Sequence, residues 1–311
     1  MVSILLLVVG IGIVLWSAER LTDGVLGAAA SFALSAFFVG ALVSGFEPEN
    51  LATGLVANFK GLPQVALGTV IGSALFMLLA GFGAAVLIVP MNVEIPRAAI
   101  VVMLVSPLLF GLTLLNDGVV SRLEGLLLLV ACGALMFRLY RTSPVLRARS
   151  ADDLETSKEK RSSRSRALAL IGIGSVGTIV GAELLVQGAA GIIHRFGVSE
   201  TFVGMAIVGL GESLEEAARM VAPARRGFYG VALGNVVGTT IILLTLNLGL
   251  IALLHPVAAD PWVLKFHAPY LIACVVLVGA LLLAVKRLGR WLGGLLILLY
   301  LLYLAVNLRY L

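Results

Sequence analysis

Between Val203 and Thr240 the chain reads VGMAIVGLGESLEEAARMVAPARRGFYGVALGNVVGTT, which sets Glu212, Glu215 and Glu216 inside a stretch otherwise apolar enough to span a membrane. Acids inside such a segment are costly in lipid and face a bundle interior or a water-filled cavity. The same layout occurs earlier, from Phe37 to Ala74, as FFVGALVSGFEPENLATGLVANFKGLPQVALGTVIGSA, where Glu47 and Glu49 occupy the acidic segment. Two acid-bearing apolar segments of one pattern imply two related halves.

Composition agrees with a membrane origin for both. Sixty per cent of the residues are hydrophobic and 13% charged, with a mean hydropathy of +1.09, against about a quarter charged in an ordinary soluble domain. The expected fold class is therefore an all-α polytopic membrane protein. Cys132 and Cys274 stand alone in separate apolar runs, so packing is expected of them rather than a disulfide or zinc site. The net charge of +5 comes from cations crowded into one linker and a few span ends, which reads as topology and not as a nucleic-acid partner.

Taken in order, Val2 to Trp16 is apolar without a preceding Lys or Arg, so it reads as a first span and not a secretory signal. A polar link, SAERLTDG, leads to a second span over 36–59, broken by GFEPEN, where Gly45 and Pro48 favour an interrupted helix. Further spans are expected at 62–89, 98–115 and 118–139. The run RTSPVLRARSADDLETSKEKRSSRSR is a charged, serine-rich linker. Apolar character then resumes, with spans expected at 167–187, 201–224, 228–254, 268–285 and 291–308. The organisation is a first repeat over 1–140 (acidic motif 45–51), a linker over 141–166 and a second repeat over 167–311 (acidic motif 209–216).

The linker cations Arg141, Arg147, Arg149, Lys158, Lys160, Arg161, Arg164 and Arg166 place it in the cytoplasm by the positive-inside rule. Arg20, Arg97, Arg225, Arg226, Lys286, Arg287 and Arg290 then fall on the same side, and the N-terminus is expected outside. Within the repeat, SAERLTDG matches GAELLVQG, and VALGTVIGS matches VALGNVVGT with Gly68 against Gly234 (234 − 68 = 166). Because each half has an odd number of spans, the second inserts inverted relative to the first, and such repeats place an ion site near the midplane.

With these residues in view, the chain resembles the cation/calcium exchanger superfamily, the sodium/calcium exchanger membrane domain, over nearly its whole length. GAELLVQGAAGIIHRFGVSETFVGMAIVGLGESLEEAA and GVALGNVVGTT are similar to the family's GA-[DE]-x-LV-x-GA, GTS-x-PE and GN-[VI]-x-GSN signatures. The corresponding pieces of the first half, GFEPENL and GTVIGSA, are weaker. The resemblance implies that Glu216 is the acidic cation ligand, with Glu212 and Ser213 where the family has Thr and Ser. In the first half Asn50 occupies the acid position, and Glu47 and Glu49 stand where Ser and Pro are usual. Asn235 keeps the Asn of GN, whose counterpart is Thr69. The second Asn of GSN is Ala74 in one half and Thr240 in the other.

The residues support the same chemistry without the family. Glu212 and Glu216, four apart, share a helix face with Glu215 beside them, and carboxylate oxygens suit hard cations such as Ca²⁺. The expected metal-binding set is Glu47, Glu49, Asn50, Glu212, Ser213, Glu216 and Asn235, with Glu215, Arg219, Thr69, Ser73 and Thr239 as further candidates. Glu215 can pair with Arg219 at i+4. Glu19 and Glu183 are expected at interfaces, Gly68, Gly72, Gly234 and Gly238 in close helix packing, and His194, His255 and His267 at solvated loops.

The function expected is secondary antiport, a divalent cation (Ca²⁺) exchanged for Na⁺ or H⁺, in a bilayer and without a cofactor. Mn²⁺ or Mg²⁺ as the divalent ion, and a non-transporting membrane sensor or assembly protein, are the alternatives. A membrane enzyme is disfavoured, since no HExxH motif or nucleophile–base pair falls within the spans. Nothing in the sequence sets an oligomeric state.

Overall fold

The structure, a computed structural model of the chain, describes residues 2–29, 47–93, 95–115, 117–142, 164–225, 227 and 229–310. Within these, the side chains of 22–29, 142, 164, 165, 167, 214–216, 218, 219, 222, 223, 231 and 310 are outside the description. Residues 30–46, which include the first part of the expected second span (36–46) with Gly45, and 143–163 of the central linker lie outside it.

The described backbone is helical apart from turns and four two-residue strands. This is the expected solution where lipid offers no hydrogen-bond partner to a free peptide group. The helices are α1 (Val2–Ala29), α2 (Pro48–Phe59), α3 (Pro63–Ile88), α4 (Arg97–Leu114), α5 (Arg122–Thr142) and α6 (Arg164–Phe196), then α7 (200–225), α8 (229–254), α9 (Val263–Ala284) and α10 (Arg290–Asn307). Eight of them are long and apolar enough to cross a membrane. The two that are not, α2 and α7, carry the acids.

The inverted repeat is visible in the backbone. Each acid-bearing helix ends at a glycine in the left-handed region, Gly61 at φ 73° and Gly227 at φ 83°, a turn that residues with a Cβ adopt poorly. The helix that follows contains a π-helical turn at the matching place, Phe76–Gly81 in α3 and Ile242–Asn247 in α8. The strands β1 (Met91–Asn92), β2 (Val119–Val120), β3 (Val257–Ala258) and β4 (Arg287–Leu288) pair crosswise. Met91 faces Leu288 and Asn92 faces Arg287 in the β1–β4 pair, while Val119 faces Ala258 and Val120 faces Val257 in the β2–β3 pair, both antiparallel. Each half thus supplies one strand to each pair, as a two-fold exchange of the halves requires. Helix packing obeys the same exchange: the end of α3 lies on α10 and the end of α8 on α5, while α4 packs on α9 and α1 on α6.

The interior is held by apolar packing around Phe82, Phe110 and Tyr303, all fully buried. Large apolar side chains also cover the outside, among them Leu5, Val130, Leu168, Val176 and Leu301, the distribution of a protein whose solvent is lipid. Close approach at the centre depends on glycine. A Cβ at Gly72 would stand 2.5 Å from the Met205 carbonyl oxygen, one at Gly204 2.5 Å from that of Gln64, and one at Gly209 2.8 Å from that of Gly68. Helices α3 and α7 therefore cross backbone to backbone, in the small-residue manner of membrane helices. Cys132 and Cys274 are free and buried.

Three local expectations are corrected. SAERLTDG is not a link, because α1 continues through it to Ala29. Its polar side chains are accommodated without a break: Ser17 is buried, and Arg20 pairs with Glu19 at 2.7 Å while lying 5.0 Å from the centre of the Trp16 ring. Helix α6 runs from Arg164 to Phe196, well beyond 167–187. His267 is not a solvated loop residue. Its helix starts ahead of it at Val263, which buries the ring among Trp262, Phe266 and Tyr303, with Nδ1 3.0 Å from the Tyr303 hydroxyl.

Candidate cation site

The acids lie where the first turn of α2 meets the middle of α7. Glu49 lies in the first turn of α2, just after Pro48, and Glu212 in the first turn of the α-helical part of α7, Gly209–Arg225. The N-terminal end of a helix favours a negative charge, which applies to Glu49 in the first turn of α2; Glu212 lies within the continuous helix α7 and has no helix end beside it. Glu47, Glu49 and Glu212 are each buried to 1% exposure or less. Three carboxylates held this far from water need a compensating charge, proton or donor set.

Hydroxyl and amide groups from four helices surround them. Asn50 Nδ2 donates to Glu47 Oε2, and the Ser73 hydroxyl lies 2.6 Å from Asn50 Oδ1 and 3.2 Å from the main-chain oxygen of Gly209. Asn247 Nδ2 donates to the Glu47 carbonyl at 3.4 Å. Glu212 faces the Thr53 hydroxyl and feels the Glu49 carboxylate. Even so, neither Glu212 oxygen, nor the hydroxyls of Thr53 and Ser213, meets a partner at hydrogen-bond geometry among the described residues. Thr239 donates to Asn235 Oδ1 at 3.2 Å, and Thr69 turns back to the Ala66 carbonyl at 2.8 Å.

The structure therefore gathers Glu47, Glu49, Asn50, Thr53, Ser73 and Glu212 into one buried polar region, with Thr69, Ser213, Asn235 and Thr239 also buried on helices α3, α7 and α8. The side chains of Glu215, Glu216 and Arg219 lie outside the described residues, and only their helical backbone is placed. No group of three or more His, Cys, Asp or Glu among the described residues is arranged to hold a metal ion by itself. A cation there would draw on amide, hydroxyl and main-chain oxygens as well, which is the mixed oxygen shell that Ca²⁺ accepts.

Two members of this region escape a motif-based reading. Thr53 stands one turn after Glu49 and Asn50, so helical spacing alone could have found it. Asn247 is a polar residue inside the apolar run ILLTLNLGL, and an unexplained amide within a span is itself a signal.

A second polar network ties the two halves together at the end of the bundle that bears Gly61. Glu200 Oε1 accepts from the main-chain N–H of Gln64 at 2.6 Å and of Val65 at 3.3 Å, capping α3 from the other repeat. The Gln64 side chain donates to the Ala258 carbonyl at 2.9 Å and accepts from the Asp260 N–H at 3.1 Å. Asp260 also accepts from Thr201 and from the Val263 N–H, the latter at 2.7 Å. Burial pushes the Glu200 carboxyl above the usual glutamate range; the two N–H donors pull it down and nearby Asp260 adds to the rise. Nearby, Lys60 pairs with Glu183, which also accepts from Gln187 at 2.7 Å. Glu183 is thus half-buried and paired across the repeats.

Inverted helical repeats and a buried oxygen-rich region between two acid-bearing helices define a secondary-transporter architecture. The chain belongs to the sodium/calcium exchanger protein family, whose model matches residues 2–141 and 166–309. It is 28% identical to the inner membrane protein YrbG of Escherichia coli over 94% of this chain and 92% of that one. It is 27% identical to the putative antiporter CaxA of Alkalimonas amylolytica over 93% and 92% of the two chains. Its fold matches that of the sodium–calcium exchanger NCX_Mj with a TM-score of 0.67 at 23% identity, covering 98% of each chain.

Proposed function

We propose that this chain is a secondary active antiporter that exchanges a divalent cation, Ca²⁺, for Na⁺ or H⁺ by alternating access at the buried carboxylates. The observation that carries the reading is the burial of Glu47 and Glu49 from one repeat beside Glu212 from the other. The site residues are Glu47, Glu49, Glu212 and Ser213, with Glu216 as the acid that the family pattern places one turn beyond Glu212. Asn50, Thr53, Ser73 and Asn235 complete the polar surroundings.

The physical logic is competition. An unoccupied cluster of buried carboxylates is unfavourable, and either a divalent ion or monovalent counter-ions can neutralise it. One ion must leave before the other enters, so coupling needs no separate device. Glu47 and Glu212 replace the hydroxyl residues usual at those positions, which adds titratable groups and supports protons as counter-ion. The family name supports Na⁺ equally. In the proposed orientation the N-terminus lies outside and the linker over 141–166 is cytoplasmic, separating repeats over 1–140 and 167–311.

Purified protein in sealed vesicles tests this. Uptake of Ca²⁺, with Mn²⁺ and Mg²⁺ compared alongside, is measured under an opposing Na⁺ gradient and, separately, an opposing pH gradient. Uptake driven by one of them is expected. Divalent-ion binding without flux under either gradient would replace antiport with a sensor, and no binding at all would remove the site.

A further inference from the structure

The family pattern puts an acid at position 50, and this chain has Asn50. From the hydrogen bonds around it we infer that Asn50 is a positioning residue, an amide held by Ser73 that orients the Glu47 carboxylate, so that position 50 serves the half-site through Glu47 and not as a ligand of its own. The inference rests on the antiporter reading of the site.

The geometry fixes the polarity of each contact. Asn50 is fully buried, and its Nδ2 donates to Glu47 Oε2. Its Oδ1 therefore points the other way, where Ser73 supplies a hydroxyl at 2.6 Å. The reverse amide orientation would set Oδ1 against a carboxylate oxygen, acceptor against acceptor, and waste the Ser73 proton. The Ser73 oxygen also lies 3.2 Å from the Gly209 carbonyl at the start of the acid-bearing part of α7. A hydroxyl has one proton, so Ser73 serves either Asn50 or Gly209. The line Glu47, Asn50, Ser73 is continuous within the first repeat, and it reaches the Gly209 carbonyl of the other repeat only when the Ser73 proton turns away from Asn50. Glu47 is held at its backbone as well, its carbonyl accepting from Leu51 N–H at 3.2 Å and from Asn247 at 3.4 Å.

A carboxylate at position 50 could accept from Ser73 but could donate nothing to Glu47. This reverses the ordinary expectation. If position 50 were simply a ligand position weakened by an amide, Asn50→Asp would restore a charge and tighten the cation. If Asn50 positions Glu47, the same substitution turns Glu47 away and weakens binding.

The test measures Ca²⁺ affinity of the full-length protein in detergent by titration calorimetry for wild type, Asn50→Asp and the exchanged pair Glu47→Gln with Asn50→Asp. The pair restores one donor facing one carboxylate with the direction reversed. Asn50→Asp is expected to bind at least tenfold more weakly than wild type, with the pair recovering at least half of that loss on a logarithmic scale. Equal or tighter binding by Asn50→Asp overturns the inference, as does a pair no better than the single variant. If Asn50→Asp does not fold, Ser73→Ala is read instead. A loss of several-fold is expected because Asn50 loses the contact that sets its orientation, and unchanged affinity overturns the inference. Failure of wild type itself to bind any divalent cation would instead remove the antiporter reading, so the two failures are distinguishable.

Discussion

Glu212→Gln should move cation affinity and empty-protein stability in opposite directions. The carboxylate is fully buried, and neither oxygen meets a hydrogen-bond partner among the described residues. With a cation present, removing the charge breaks a buried ionic contact, a change that costs about 3–5 kcal/mol. At about 1.4 kcal/mol per tenfold, that weakens binding by roughly two to three orders of magnitude. Without a cation, the same carboxylate is an uncompensated burden beside Glu49. An amide of nearly identical shape is cheaper to bury, and the relief is on the order of 1–3 kcal/mol. At roughly 2–4 °C per kcal/mol the metal-free variant should melt a few degrees above wild type. Calorimetric titration with Ca²⁺ and a melting curve in chelator read the two effects. Unchanged affinity would show that Glu212 is not in the site, and a metal-free variant that melts lower would show that the carboxylate serves as a structural group.

Three other outcomes follow from the packing and the polar network. Gly68→Ala should destabilise the protein by about 1–3 kcal/mol or prevent folding, because its Cβ would overlap the Gly204 backbone; yield and melting temperature after extraction check this. Lys60→Met should change stability by less than about 1 kcal/mol, since the pair with Glu183 is partly exposed to solvent, as chemical unfolding would show. Glu200 is pushed above the ordinary glutamate range by burial, so it favours the folded state most when protonated, and that contribution is lost as pH rises through its raised value. Glu200→Gln keeps the oxygen that accepts from Gln64 and Val65, and should flatten the loss of melting temperature with rising pH across the mildly acidic range.

Much of the fold was legible because membrane physics writes plainly in sequence. Apolar runs gave the spans, and the paired VALGxVxG stretches gave the repeat, which the crosswise strand pairs and matching π-helical turns express in three dimensions. The misreadings have a common cause. SAERLTDG and His267 were placed outside helices because they are polar, yet Arg20 lies over Trp16 and His267 bonds to Tyr303. Side-chain partners of this kind cannot be seen in a linear pattern. The buried acids Glu47, Glu49 and Glu212 were legible, because their charge is anomalous in a span. It was less so for Thr53 and Asn247, which are ordinary in composition and become informative only when the helices assemble. The Glu200 cap on α3 was not legible at all, since it joins residues more than a hundred positions apart.

The central claim is that acids from both repeats hold one cation in the middle of the bundle, and anomalous scattering from crystals soaked in Mn²⁺ or Sr²⁺ tests it most directly. The account predicts a peak within about 2.3–2.6 Å of carboxylate oxygens, drawn from Glu47 or Glu49 on one repeat and Glu212 or Glu216 on the other, and absent in Glu212→Gln. A saturating soak that places the ion only at the helix ends, or on the acids of one repeat alone, would contradict it.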